Sequence, residues 1–147
     1  MLRFLLLFLL VAPGLSAATP AAPTLLDRVT IAPMKTSIYV GSVTLTTAAF
    51  ERSGSLLAST YEARVFPWIF WGEAGSISIS LEDSQLAQLV RGERAEFTGD
   101  AENHRGKPRR VSGQATPEGP LSGRIKVRIH VDDIELIFNG RYEFSKP

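Results

Sequence analysis

In the C-terminal half of the chain, apolar and polar residues alternate with a period of two. Ala95, Phe97, Gly99 and Ala101 share one parity over residues 94–102, and Val111, Gly113 and Ala115 share one over 109–116. Ile125, Val127, Ile129 and Val131 follow, interleaved with Arg124, Lys126, Arg128 and His130. Ile134, Leu136, Phe138, Tyr142 and Phe144 continue the pattern over 134–144. Side chains along a strand point alternately to opposite faces, so each segment reads as a strand with one buried face. Residues 103–108 and Pro117-Glu118-Gly119-Pro120 mark turns between them.

Two turns compete in the last hairpin. Asn139-Gly140 is the stronger local signal. A two-residue turn there would pair Phe138 with Arg141 and Leu136 with Glu143, which puts charges on the buried face. A turn at Asp132-Asp133 pairs Val131 with Ile134, Ile129 with Leu136 and Val127 with Phe138. Directly opposed residues share a face, so the Asp-Asp turn is the consistent one. Gly140 then falls inside a strand, where it is expected to mark a bulge.

The N-terminal half is less regular. Residues 36–47 are rich in β-branched residues and read as a first strand, although Ile38, Tyr39 and Val40 interrupt the alternation. Ser53-Gly54-Ser55 marks a turn. Residues 58–66 form a second strand with Tyr61, Ala63 and Val65 on one face, and residues 76–81 place Ile77, Ile79 and Leu81 inward. A short helix over residues 83–91 interrupts the β pattern. Asp83 or Ser84 would cap it, Leu86, Leu89 and Val90 form its stripe, and Gly92 is its C′ residue. The expected fold is mainly β: a single antiparallel β-barrel or sandwich of about seven strands with one short helix.

The first residues carry an address. Arg3 precedes the apolar run from Phe4 to Val11, and Pro13-Gly14 then precedes the small residues Ser16-Ala17-Ala18. This is the layout of a signal peptide over 1–18, with an apolar run too short to span the roughly 30 Å hydrocarbon core. The expected mature chain has no transmembrane helix. Residues 19–35, with Pro20, Pro23 and Pro33, read as a flexible tether, and residues 36–147 as the single β domain.

Composition narrows the function classes. Sixteen basic residues face fifteen acidic ones, and loss of Arg3 with the signal leaves the charges balanced. A nucleic-acid partner would call for a basic excess. There is no cysteine, which excludes disulfides, thiolate metal sites, cysteine nucleophiles and a lipid-modified N-terminal cysteine. An exported domain without disulfides must fold by burial alone, and 44% of the residues of the full chain are hydrophobic. Neither Asn103 nor Asn139 begins a glycosylation acceptor. A short signal and no cysteine favour a bacterial periplasmic or extracellular location.

The sharpest local anomaly is Phe66-Pro67-Trp68-Ile69-Phe70-Trp71, which holds both tryptophans and two of the eight phenylalanines. The rings either seal one end of a barrel or form a surface of Phe66, Trp68, Phe70 and Trp71 that binds a ligand, a membrane interface or a partner. Trp68 is expected to be the more structural of the two tryptophans and Trp71 the more exposed. The small inward residues Gly99, Ala101, Gly113 and Ala115 bear on this choice. They leave space that the tryptophans fill or that an apolar ligand occupies. The spacing around Gly99, Gly106 and Val111 is similar to a glycine-punctuated hairpin of the YceI-type periplasmic lipid-binding barrels. That likeness is confined to one hairpin and assigns no family.

His104, Arg105, Lys107, Arg109 and Arg110 form a basic run with no acid among them. It reads as a solvated turn or as an anion-binding loop for lipid phosphate, anionic glycan or an acidic partner. His130 and Glu135 face each other near Asp132 and Asp133, which suits a cross-strand ion pair better than a metal. The ladder Arg124, Lys126 and Arg128 reads as protection of a sheet edge. No nucleophile elbow, zinc-protease motif or phosphate loop is present. Glu93 and Glu96 point to opposite faces of a strand and make no carboxylate pair. The function expected is therefore non-catalytic: a small exported module, without cofactor, that binds an apolar small molecule or an envelope protein. The alternative is a structural or membrane-associated envelope protein, without a small ligand, that meets anionic lipid or glycan through its basic loop.

Overall fold

The alternating segments pair in chain order and then close on themselves. A computed structural model describes residues 26–145; the expected signal peptide and residues 19–25 lie outside the described residues. The elements are β1 (Arg28–Ile31), β2 (Met34–Ile38), β3 (Gly41–Thr47), β4 (Phe50–Ser53), β5 (Leu56–Phe66), β6 (Glu73–Ser80), α1 (Asp83–Val90), β7 (Ala95–Asn103), β8 (Pro108–Pro117), β9 (Ser122–Val131) and β10 (Ile134–Ser145). A single 3-10 turn, Ile69–Trp71, lies between β5 and β6.

Two of these strands are bent rather than separate. Ala32-Pro33 divides β1 from β2, because proline lacks the N–H that a ladder needs. Ala48-Ala49 divides β3 from β4, with the Ala48 N–H still donating to Thr60 O at 3.0 Å. With each pair counted as one stave, the sheet is a closed antiparallel barrel of eight strands. The closure joins β1 to β10, from Arg28↔Ser145 to Ile31↔Tyr142. The Ala32 N–H reaches Arg141 O at 3.0 Å, and beyond it β2 pairs with β3 alone, with no ladder to β10.

The last hairpin has the expected register: Val131↔Ile134, Ile129↔Leu136 and Val127↔Phe138, around a turn at Asp132-Asp133. Several other expectations need correction. Residues 36–47 are two strands, not one, because the chain turns at Tyr39-Val40. The described part of the expected tether is built into the barrel: Leu26, Val29 and Ile31 are buried. Gly140 makes no bulge. Its ladder to β9 is unbroken, and a Cβ there would lie 2.5 Å from Met34 Cγ, so glycine leaves room for the methionine. Arg124, Lys126 and Arg128 guard no edge, because β9 is flanked by β8 and β10 and a closed barrel has none at that position. Arg124 and Arg128 instead pair with Glu118 and Glu135.

One end of the barrel is plugged. The β4–β5 and β8–β9 turns and α1 lie there, and α1 packs against β7 and β8 with Leu86 and Leu89 buried. Glu82, rather than Asp83 or Ser84, caps the helix through a reciprocal box with Gln85, and Val90 faces solvent. Asp83 pairs instead with Arg52 on β4. In mid-barrel the most deeply buried side chains are Phe50, Phe138 and Val111. The small inward residues are not filled by tryptophan, as had been one expectation. A Cβ on Gly113 would lie 2.5 Å from Phe97 Cζ, so the Phe97 ring occupies that space. The other end collects the β2–β3, β5–β6, β7–β8 and β9–β10 connections, and it is open.

Candidate functional site

The open end holds a cavity of about 620 Å³. Strand parity explains its lining. On β9 and β10, inward positions near the turn are Ile129, Val131, Leu136 and Phe138, and on β3 they are Val43 and Leu45. Together with Ile38 on β2 they make one wall apolar. The opposite wall is different. Following the inward parity of β6, β7 and β8 toward the mouth ends on Glu73, Asn103 and Arg109. Tyr61 on β5 faces the same space.

These four side chains form one network. Arg109 donates from Nε to Glu73 Oε1 at 3.3 Å and from Nη2 to Glu73 Oε2 at 3.1 Å. The Tyr61 hydroxyl donates to Glu73 Oε1 at 2.9 Å, and Asn103 Nδ2 donates to Glu73 Oε2 at 3.1 Å. The Arg109 side chain is 8% exposed and that of Glu73 18%. Burial by itself pushes the Glu73 carboxyl up, but the hydrogen bonds from Arg109, Asn103 and Tyr61 and the guanidinium charge outweigh it, so the net direction is down. Burial, then the hydrogen bond to Glu73, pushes the Tyr61 hydroxyl up. The hydrogen bond to Glu73 raises Arg109 against the opposing effect of burial. At neutral pH the cluster is therefore a carboxylate, a guanidinium and a protonated phenol.

Such a cluster is poorly suited to proton transfer. A general acid or base works best when its pKa lies near the working pH, and here Glu73 and Tyr61 are both driven away from neutrality. It is well suited to presenting fixed polar atoms inside an apolar space. Ligand pockets have this composition: mostly apolar walls with a few placed polar groups.

Arg109 thus needs correction as a loop residue. It is not part of an exposed basic tip but the buried cation of the cavity. The other members of the run, His104, Arg105, Lys107 and Arg110, are exposed. Arg105, Lys107 and Arg110 make no ion pair among the described residues. Asn103 ties their loop to the cavity, because its Oδ1 accepts from the Arg105 and Lys107 N–H groups at 3.0 and 2.9 Å.

The aromatic run does not seal the barrel. None of Ile69–Trp71 is buried, and Phe66 and Phe70 are about 70% exposed. The rings stack on one another instead: Trp68 and Trp71 lie 5.5 Å apart between centroids, and Phe70 meets each of them edge-on. Trp71 forms part of the cavity wall, whereas Trp68 and Phe70 do not line it. Trp68 is 40% exposed and Trp71 55%, the expected order, although neither belongs to the core. His104 lies beside this loop, with its N–H donating to Ala74 O at 2.8 Å, so basic and aromatic loops adjoin.

Near the acidic turn, His130 Nε2 lies 3.2 Å from Glu135 Oε2 as a cross-strand pair, and Asp132 Oδ1 lies 3.4 Å from Arg109 Nη1. No group of three or more metal-ligating side chains occurs among the described residues. The sequence reading missed Tyr61, Glu73 and Asn103 as site residues. The signal that could have found them is strand parity carried to the strand ends, where a polar residue at an inward position departs from the apolar pattern. No protein-family model matches the chain, and no curated protein matches it.

Proposed function

We propose that the chain is an exported, non-catalytic binding module whose barrel takes an apolar small molecule through its open end. The observation that carries this reading is the 620 Å³ cavity, apolar on one wall and open beside Trp71. A stable core normally closes at native packing density, and space of this size in a small domain is unusual unless something occupies it. The polar cluster of Tyr61, Glu73 and Arg109 orients the occupant, and Trp71 flanks its exposed end. Native mass spectrometry of freshly purified protein tests the reading. A co-purified small molecule that organic extraction removes is the expected result. A clean apo mass, together with no change in tryptophan fluorescence on titration with an apolar probe, overturns it.

A second reading has its own support. Exposed Phe66, Ile69 and Phe70 belong to a loop that adjoins His104, the first residue of the basic run, whose exposed cations Arg105, Lys107 and Arg110 have no ion-pair partner among the described residues; aromatic and basic groups at one end suit the interface of an anionic membrane. In this reading the same end of the barrel meets anionic lipid or glycan and takes no small ligand. Salt-sensitive binding to liposomes that contain anionic lipid would favour it. Equal binding to neutral and anionic liposomes would count against it.

A further inference from the structure

Arg109 is unusually placed for a structural arginine. It is 7% exposed, lines an apolar cavity, and has donors left over. A guanidinium carries five N–H groups. Two go to Glu73 and one to Asp132, which leaves two without an acceptor among the described residues. The contact to Asp132 is also the weakest in the network. It is 3.4 Å long, and the Asp132 side chain is 71% exposed at the turn over the mouth. An exposed carboxylate at that distance returns to water at little cost.

We propose that the ligand is a single-chain amphiphile with a carboxylate head, which binds the Nη1 edge of Arg109 in place of Asp132. The inference rests on the reading of the cavity as a ligand site. The Asp132 carboxylate already shows which chemistry this edge accepts. Exchanging one carboxylate for another keeps the charge balance around the Glu73–Arg109 pair, and a guanidinium fork suits planar carboxylates better than any neutral head. The tail lies against Leu45, Ile77, Leu136 and Phe138. The volume suits one chain, within the range of roughly 300–1,000 Å³ common for small-molecule sites.

The test uses protein stripped of co-purified lipid, titrated at pH 8 with dodecanoic acid and with dodecan-1-ol, and read by tryptophan fluorescence and calorimetry. The acid is expected to bind at least about tenfold tighter than the alcohol, as a charge-assisted hydrogen bond implies. Asp132→Asn removes the competing carboxylate and is expected to tighten acid binding about threefold, with alcohol binding unchanged. Asp133→Asn removes the same charge one residue further on, away from Arg109, and is expected to leave both unchanged. Arg109→Lys keeps the charge and loses the fork, so acid affinity is expected to fall about tenfold while the alcohol still binds. If that variant fails to fold, the two aspartate variants decide alone. Equal affinity for acid and alcohol, or equal effects of the two aspartate changes, overturns the head-group inference and leaves the cavity reading intact. Failure of both probes to bind overturns both.

Discussion

Replacing Glu73 by glutamine separates a buried polar anchor from an ordinary surface ion pair. Each Glu73 oxygen accepts two hydrogen bonds: Oε1 from Tyr61 and Arg109 Nε, Oε2 from Asn103 and Arg109 Nη2. A glutamine has the same shape but only one acceptor oxygen. With that oxygen toward Asn103 and Arg109 Nη2, its amide group faces Tyr61, whose hydroxyl can rotate to accept. It also faces Arg109 Nε, which cannot. One guanidinium bond is lost, and the buried cation is left with only the long contact to exposed Asp132 as its counter-charge. Breaking a buried pair in this way costs about 3–5 kcal/mol, and the bonds that glutamine keeps put Glu73→Gln near 3 kcal/mol. For a domain of this size, roughly 3–5 °C per kcal/mol gives a fall in melting temperature of about 10 °C or more. Glu51→Gln provides the contrast: its pair with Arg28 is short, 2.7 Å, but its side chains are 35% and 67% exposed, so the change is expected to cost under about 1 kcal/mol. Thermal and denaturant unfolding of both variants is the assay. The pH dependence gives a second check. The folded-state pKa of Glu73 lies below its ordinary 4.5, so its stabilisation is full above that value and is lost as pH falls through the lower, folded-state pKa. The difference between wild type and Glu73→Gln is therefore expected to shrink under acid. A loss below about 1 kcal/mol at neutral pH would mean that water reaches the pair freely, and the account of a sequestered anchor would be wrong.

Other outcomes follow from the same geometry. Trp71→Ala is expected to cost well under about 1 kcal/mol of stability, because the ring is 55% exposed, yet to weaken capture of an apolar fluorescent probe; melting and probe titration check both parts. Gly113→Ala places a methyl against Phe97 and Lys126 O, and is expected to destabilise by about 1–3 kcal/mol in a denaturant titration. Combined Arg105→Gln, Lys107→Gln and Arg110→Gln is expected to leave stability within about 0.5 kcal/mol, because these side chains are exposed. In sedimentation with anionic liposomes, the same variant loses binding if the membrane reading holds.

The strand content of β7 to β10 and the register of the last hairpin could be read along the chain, because both depend on local rules. Alternation gives each strand a buried parity, and only the Asp132-Asp133 turn keeps Val127, Ile129 and Val131 opposite apolar partners. Tyr61, Ala63, Val65, Ile77, Ile79 and Leu81 followed from the same rule. What failed depended on distant partners. Residues Arg28–Ile31 have too little pattern to declare a strand, and they form one because β10 and β4 offer open ladders on either side. The division of 36–47 and the passage of β2 away from β10 likewise follow from closing the barrel. The site itself was half legible. Parity put Arg109 on the face of Val111 and Asn103 on the face of Ala101, but a cation in a basic run reads as solvated. Its burial is tolerable only because Glu73, 36 residues away in sequence, lies opposite it, and that pairing exists only once β6, β7 and β8 lie side by side. The aromatic run was visible as an anomaly from its composition. Its place at the open mouth was decided by the pairing of β5 with β6, which puts their connection at the end opposite α1.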